Sequence, residues 1–258
     1  MTRSAATLAA AGRALGGVLL VAGAAAGATV PLDTSGVRPG PVTVTEQGDT
    51  VVVAWPDETG RPWRATFSLD PERPLIQSIA VNGASIVSNA RPYYRGETGT
   101  RRRGWNAFFD YPPDHPDGTR AAQGRFQLRT ATVRTLGDRV ELLFDGLQMG
   151  VFDGGIAYTV YPGSRLIQQE AVVTTSQPDV AYYYDAGWDM TAAADRTPGN
   201  NMETRVSYYD TSGSLRHDTA TGFDPERVPV EVRYRTLAMD TERGSVAVFP
   251  APHQYFFP

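Results

Sequence analysis

The chain has 258 residues with 24 basic and 28 acidic side chains, three histidines, no cysteine and a net charge of −4. The lack of cysteine excludes disulfides, thiolate metal sites, iron–sulfur clusters and cysteine catalysis. Every basic residue is arginine, and the acidic balance argues against a nucleic-acid partner.

The first 28 residues have the pattern of a secretory signal peptide. Arg3 and Arg13 give a positively charged start, residues 14–26 form a short apolar run, and residues 26–28 (Ala-Gly-Ala) supply a small-x-small cleavage site. The run is too short for stable membrane insertion, and no later segment approaches the length of a membrane span. We therefore expect a secreted or periplasmic protein, with an uncleaved anchor as the alternative.

We predict that signal peptidase cleaves near Ala28. Removal of the two N-terminal arginines would leave 22 basic and 28 acidic residues, which is a net charge of −6. N-terminal sequencing of secreted material should read a chain that starts close to Thr29. Secreted material that still begins at Met1 would contradict this prediction.

Alternation of apolar and polar residues with a period of two dominates the remaining chain and predicts strands. Turn residues such as Asn82-Gly83 separate the segments. We expect an all-β fold, a large antiparallel β-sandwich over 42–258, after a lead-in linker at 29–41. The predicted strands are Val42–Glu46, Thr50–Trp55, Trp63–Leu69, Leu75–Val81, Ala84–Ser88, Arg125–Leu136, Arg139–Phe144, Gly155–Tyr161, Arg165–Ser176, Val180–Met190, Glu203–Tyr209, Val228–Met239 and Ser245–Phe249.

Two long segments lack this alternation and are predicted as loops. Residues 91–123 form the longest one and contain Trp105 and Asp110, and residues 191–202 form the second. Loops on a rigid β scaffold often carry binding residues. The last residues, 250–258, include His253 and three aromatic side chains, which predicts either docking onto the sandwich or a downstream domain of the same protein.

Two parts of the chain resemble a known family. The first is Phe67-Ser68-Leu69-Asp70-Pro71 followed by 75–87, and the second is 158–167 followed by 171–175. They are similar to the opening hairpin and the central strands of the galactose-mutarotase-like supersandwich, which aldose epimerases share with domains of glycoside hydrolases and polysaccharide lyases. The resemblance implies a supersandwich-like fold and a sugar context. Aldose epimerases carry a catalytic histidine after those strands, whereas residues 182–188 here contain none, which argues against mutarotase activity.

Residues 181–189 carry four aromatic rings and two carboxylates. Aromatic faces beside hydrogen-bonding acids suit a sugar ring, although an aromatic core strand would have the same composition. Alternation predicts that Tyr182 and Tyr184 are buried and that Tyr183 and Asp185 face a groove. A bulge at Gly187 would be needed to turn Trp188 outward. The predicted substrate-binding residues are Trp105, Asp110, Tyr183, Trp188, Asp189 and His253.

A candidate catalytic pair comes from the segment 165–190, which is predicted as a hairpin about Gln177-Pro178. In that register Glu170 lies opposite Asp185, with Cβ atoms about 5 Å apart. Two carboxyls at that separation suit retaining glycoside chemistry, and Arg165 or the basic run 101–103 would neutralise them. Two solvated carboxylates, or a carboxylate–arginine pair, are the structural alternative.

No motif indicates a resident cofactor, and none is expected. Asp110, Asp114 and Asp117 lie close together in one predicted loop and are candidates for calcium ligands, although their spacing differs from that of an EF-hand loop. The histidines have no metal-ligand spacing.

These observations support three hypotheses about the function of the protein. The first is an exported carbohydrate-interacting domain, accessory to polysaccharide degradation, whose partner is a polysaccharide. The second is a glycoside hydrolase, lyase or epimerase that uses Glu170 and Asp185. The third is an assembly module whose exposed aromatic residues bind another protein.

Overall fold

The computed structural model describes residues 28–100, 118–190, 204–220, 230–241 and 244–251. These residues form strands and no helix, which confirms the predicted all-β class. The strands are β1 (Leu32–Gly36), β2 (Thr43–Gln47), β3 (Thr50–Pro56), β4 (Pro62–Ser68), β5 (Ile76–Val81), β6 (Ala84–Thr100), β7 (Arg120–Gln123), β8 (Arg125–Leu136), β9 (Arg139–Met149), β10 (Phe152–Val160), β11 (Ile167–Thr174), β12 (Val180–Met190), β13 (Thr204–Tyr209), β14 (Leu215–Ala220), β15 (Leu237–Thr241) and β16 (Gly244–Val248).

The strands form two facing sheets and a smaller third sheet. The five-stranded sheet has the order β1-β8-β9-β10-β11, and the seven-stranded sheet has the order β12-β6-β5-β4-β3-β2, with β7 also paired to β6. The third sheet has the order β14-β13-β15-β16. Val246 of β16 packs against the main core, so the third sheet lies against the sandwich. This arrangement agrees with the predicted antiparallel sandwich, with one parallel pair between β1 and β8.

The core between the two large sheets is built from the inward side chains of the alternating strands. Phe67 of β4 lies 5.2 Å from Phe144 and 4.9 Å from Tyr158, measured between ring centroids. Phe67 belongs to the seven-stranded sheet and its two partners to the five-stranded sheet. Each side chain of this size contributes about 1.5–3 kcal/mol when fully buried.

The turn between β5 and β6 follows the prediction from sequence. Asn82 and Gly83 both have positive φ angles, 50° and 79°, as a two-residue type I′ hairpin turn requires. This conformation is accessible to asparagine and glycine and costs other residues energy. Val81 consequently pairs with Ala84, and β5 continues directly into β6.

The prediction of a lead-in linker at 29–41 is wrong for its central residues. Leu32 pairs with Ala131 in the parallel contact between β1 and β8, and Val30, Leu32 and Val37 pack against the core. The prolines and glycines of this segment are typical of a linker. Tertiary packing overrides that composition, and these residues belong to the sandwich.

The prediction that 91–123 is one irregular segment is also wrong at both ends. Strand β6 continues to Thr100, and β7 occupies Arg120–Gln123. The arginine, proline, glycine and aspartate content of 91–123 is typical of a loop. A Cβ added at Gly96 would lie 3.0 Å from Sδ of Met149, so a larger residue here would require that side chain to shift.

The predicted hairpin over 165–190 does not form. Strand β11 pairs with β10 in the five-stranded sheet, and β12 pairs with β6 in the seven-stranded sheet. The chain crosses between the sheets at 175–179, where Asp179 has a positive φ of 56°. Consecutive strands at the edge of a sandwich can change sheets, and alternation alone does not distinguish that crossing from a hairpin. Farther along, a strand is predicted at 228–239, but the described residues 230–236 lie outside any strand and β15 begins at Leu237.

Asp57 anchors the turn between β3 and β4. Its side chain is fully buried, and its Oδ1 accepts hydrogen bonds from the backbone N–H and hydroxyl of Thr59 and from the N–H of Arg61. Its Oδ2 accepts from Nε of Arg61 at 2.9 Å and from Nε1 of Trp63 at 3.2 Å, and lies 3.5 Å from Nε of Arg165. The carboxylate thereby ties this turn to the connection between β10 and β11.

Candidate functional site

The described residues include only part of the predicted site. Glu170, Tyr183, Asp185, Trp188 and Asp189 lie on β11 and β12. The other predicted residues, which are Trp105, Asp110, Asp114, Asp117 and His253, lie outside the described residues.

The predicted pairing of Glu170 with Asp185 is wrong. Glu170 lies opposite Ala157 in the five-stranded sheet, and Asp185 lies opposite Arg95 in the seven-stranded sheet. Asp185 is 3.6 Å from Nη1 of Arg95, so its charge is balanced there. Arg165, which was expected near this pair, bonds to Asp57 and Glu58 instead. The register on which the catalytic pair depended is therefore absent.

The prediction that Tyr182 and Tyr184 are buried is wrong, although the alternation itself is correct. Both side chains lie on the inner face of β12, where Tyr182 meets Phe152 and Tyr184 meets Tyr94. They are nevertheless 56% and 41% exposed, and Tyr183 on the outer face is 38% exposed. Strand β12 is an edge strand, and the facing sheet does not cover this end of it.

Trp188 lies on the inner face and holds the two sheets together. The pairing of β12 with β6 is continuous through Gly187, so the bulge that would turn Trp188 outward is absent. The indole Nε1 donates to Oε1 of Gln169 at 2.5 Å. These contacts give Trp188 a structural position and leave its indole unsuited to stacking on a ligand at the outer face.

Gln169 is the centre of this inter-sheet network. Its Oε1 accepts from Trp188 and, at 2.8 Å, from the hydroxyl of Tyr158. Its Nε2 lies 3.2 Å from the hydroxyl of Tyr94 and 3.5 Å from the carbonyl oxygen of Gly187. Burial raises the pKa of Tyr94 to about 12 and that of Tyr158 well above its ordinary value, so both phenols stay protonated.

The outer faces of β6 and β12 carry four consecutive cross-strand pairs, which we name the outer ladder. Residues directly opposite each other in an antiparallel pair project on the same side of the sheet. The side opposite to that of the buried Tyr94 and Gly96 is the outer one. The pairs of the outer ladder are Tyr183–Glu97, Asp185–Arg95, Gly187–Tyr93 and Asp189–Arg91.

A network of hydrogen bonds and ion pairs connects the side chains of the first two pairs of the outer ladder. The phenol of Tyr183 donates to the carboxylate of Glu97, and Arg95 lies 3.5 Å from Glu97 and 3.6 Å from Asp185. Burial alone would raise the pKa of Glu97, but hydrogen bonds from Tyr183 and Thr119 and the charge of Arg95 lower it. Burial and the bond to Glu97 raise the pKa of Tyr183 to about 12. At neutral pH Glu97 is therefore ionised and Tyr183 is neutral.

Tyr93 lies in the middle of the outer ladder, opposite a glycine. Among the described residues, no atom lies within 4 Å of a Cβ added at Gly187. Because Gly187 has no side chain, β12 does not cover that flank of the tyrosine. Tyr93 itself is half-buried, which gives the ring a supported position.

The outer ladder ends at a depression of about 190 Å³, which we name the rim depression. The buried side chains of Leu75 and Leu128 form its floor, and Phe126 adds to this apolar surface. Its polar residues come from β6, β7, β12 and the connection before β5. They are Asp70, Arg73, Arg91, Tyr93, Gln123 and Asp189. Asp189 is the one predicted binding residue in this set, and the others were not predicted.

A second polar cluster, in the third sheet, was missed by sequence reasoning. Oγ of Ser207 lies 2.9 Å from Nδ1 of His217 and 2.5 Å from Oδ2 of Asp240, and Ser245 donates to Oδ1 of Asp240. In a nucleophilic triad histidine lies between serine and the acid, but here the serine hydroxyl lies between the other two. The hydroxyl proton is directed to Asp240, so His217 does not activate this serine. The residues come from four strands, and no local motif signals them.

Within the described ranges, no group of three or more histidine or acidic side chains is arranged to hold a metal ion. The same residues contain no helix that is long and apolar enough to span a membrane. No protein-family model matches the chain. A comparison with curated proteins also finds no significant match.

Proposed function

We propose that this chain is an exported carbohydrate-binding β-sandwich domain, accessory to polysaccharide degradation, and that the outer ladder with the rim depression is its binding surface. One observation carries the proposal: Tyr93 and Tyr183 alternate with charged side chains along one partly exposed sheet face that ends in a depression. Tyrosine rings suit the C–H faces of a sugar, and the carboxylates and guanidinium groups suit its hydroxyls. The resemblance to the supersandwich family points to the same class of ligand.

The dimensions of the outer ladder favour an oligosaccharide over a single sugar. From Tyr183 to Asp189 the strand spans about 20 Å. The network of Arg95 with Glu97 and Asp185 fixes side chains before a ligand arrives. Preorganised groups lose less conformational entropy on binding, which favours affinity from a shallow surface.

The charges on this face favour binding over turnover. A glycoside hydrolase with two carboxyl groups needs one of them protonated as the general acid. Glu97 has a lowered pKa, and Asp185 is paired with Arg95. If the protein is instead a glycoside hydrolase, it should release reducing sugars, and Glu170→Gln or Asp185→Asn should abolish that release. Such a result would contradict the proposed binding function.

Alanine substitution of the ladder tyrosines is expected to weaken glycan binding. Tyr93→Ala and Tyr183→Ala should each lower affinity about tenfold, since each removes an aromatic anchor. Binding is measured first on a glycan array and then by calorimetry with the best polysaccharide. Thermal unfolding of each variant confirms that the fold is retained.

Tyr182→Ala is the matched control, because Tyr182 is the adjacent tyrosine and is exposed on the opposite face. It should leave glycan affinity unchanged. Equal losses in all three variants, or no binding to any glycan, would contradict the proposed surface. Exposed Tyr182, Tyr184 and Val172 favour a protein partner as the second candidate, and capture of a protein that Tyr182→Ala prevents would support it.

A further inference from the structure

Arg91 and Asp189 carry opposite charges on neighbouring strands but do not form an ion pair with each other. They lie directly opposite each other and both line the rim depression. Neither side chain forms a hydrogen bond or salt bridge with the described part of the chain. The neighbouring pair of Asp185 and Arg95, two residues along the ladder, does interact, at 3.6 Å. Charged residues that line one depression and form no ion pair within the described part of the chain are available to a ligand.

The other guanidinium at the rim depression is already engaged. Nη1 of Arg73 is 2.9 Å from Asp49, and its Nε is 3.6 Å from Asp70. Arg91 is therefore the cation that can bind an incoming anion without breaking an existing ion pair. A guanidinium presents two parallel N–H donors that match the two oxygens of a carboxylate.

We propose that the rim depression binds a uronate residue of an acidic polysaccharide, with its carboxylate on Arg91. Asp189 accepts hydrogen bonds from the hydroxyls of that residue, and the adjacent Tyr93 packs against its ring. The volume of about 190 Å³ is below that of sites for drug-sized ligands, which fits one sugar unit at the end of a longer chain. This inference rests on the proposed carbohydrate binding and adds the class of sugar.

Because the protein has a net negative charge, a preference for acidic over neutral polysaccharides is an informative test. A chain with an excess of acidic residues repels a polyanion on average, so bulk attraction does not explain tighter binding of an acidic polymer. Any preference for the acidic form has to come from a local cation. Among the residues of the rim depression, Arg91 meets that requirement.

The experiment compares polygalacturonate and alginate with their carboxyl-reduced derivatives, which keep the backbone and lose the charge. Calorimetry should show that the wild-type protein binds at least one acidic polymer about tenfold more tightly than its reduced form. Arg91→Gln should remove that difference and leave affinity for the reduced polymer unchanged. Arg139→Gln makes the same charge change at an exposed site on the five-stranded sheet and should keep the difference.

The outcomes separate this inference from the proposed function. Equal affinity of the wild-type protein for acidic and reduced polymers would overturn the uronate subsite and leave carbohydrate binding intact. Absence of binding to every polymer would contradict the proposed function itself. An equal loss in Arg91→Gln and Arg139→Gln, or equally tight binding of dextran sulfate, would also overturn the subsite, because charge alone would then explain the affinity.

Discussion

Asp57→Ala is expected to lower the midpoint of thermal unfolding by on the order of 10 °C, because it removes a buried charge that five hydrogen bonds satisfy. The variant also leaves the N–H and hydroxyl of Thr59 and the indole N–H of Trp63 without their acceptor. The turn between β3 and β4 then loses its link to Arg165. Differential scanning calorimetry of the wild-type and variant proteins at neutral pH measures the effect.

The same carboxylate predicts how stability depends on pH. Burial alone would raise the pKa of Asp57, but hydrogen bonds from Thr59, Arg61 and Trp63 outweigh it and hold the pKa well below its ordinary value. A lowered pKa contributes stability above the unfolded-state pKa of about 3.9, and this contribution is lost as the pH falls towards the folded-state pKa. Asp57→Asn should therefore be less stable at pH 7 and should lose less stability than the wild-type protein between about pH 4 and pH 2.

Asp49→Ala is the matched control for Asp57→Ala. Asp49 also forms an ion pair with an arginine, Arg73, but both side chains are substantially exposed. Exposed pairs of this kind contribute about 0–1 kcal/mol, so the unfolding midpoint should move little. A similar drop in both variants would mean that general charge, and not the buried network of Asp57, determines the effect.

Local patterns predicted the strands where each strand had an apolar inner face and a polar outer face. Strand β12 has the predicted bounds, Val180–Met190, and the Asn82-Gly83 turn has the predicted conformation. The partner of β12 was not predictable in the same way. Alternation determines which residues share a face, but it contains no information on which sheet the next strand joins. The crossing at 175–179 therefore moved Glu170 away from Asp185.

The candidate site could be predicted only in part, because alternation identifies the residues on one face of a strand but does not identify the neighbouring strand. Tyr183, Asp185 and Asp189 were placed on one face from their spacing. Their partners Arg91, Tyr93, Arg95 and Glu97 were missed, since the composition of 91–123 predicts a loop. The signal was present in the sequence: charged or aromatic residues at every second position from 91 to 97 alternate with Tyr94 and Gly96, which are buried. Gly96 lies close to the side chain of Met149, and only a structure supplies that contact.

The second large loss of stability is expected when the inter-sheet hydrogen-bond network at Gln169 is removed. Gln169→Leu should lower the free energy of unfolding by roughly 3 kcal/mol, because it leaves the buried hydroxyl of Tyr158 and the indole N–H of Trp188 without an acceptor. Urea denaturation followed by tryptophan fluorescence measures the change. The adjacent Gln168→Leu is the control, since Gln168 accepts a hydrogen bond from the less buried Tyr161, and its cost should be about 1 kcal/mol or less.

A double-mutant cycle with Tyr158→Phe separates the hydrogen bonds from simple loss of packing. Removing both partners of a buried hydrogen bond costs less than leaving one unsatisfied, so the double variant should lose less stability than the sum of the single variants. Additive losses would contradict the network. Gln169 and Trp188 also hold β12 from its inner face, while the outer ladder lies on the other face of the same strand. Gln169→Leu should therefore weaken glycan binding as well, although Gln169 lies outside the binding surface, whereas Gln168→Leu should not.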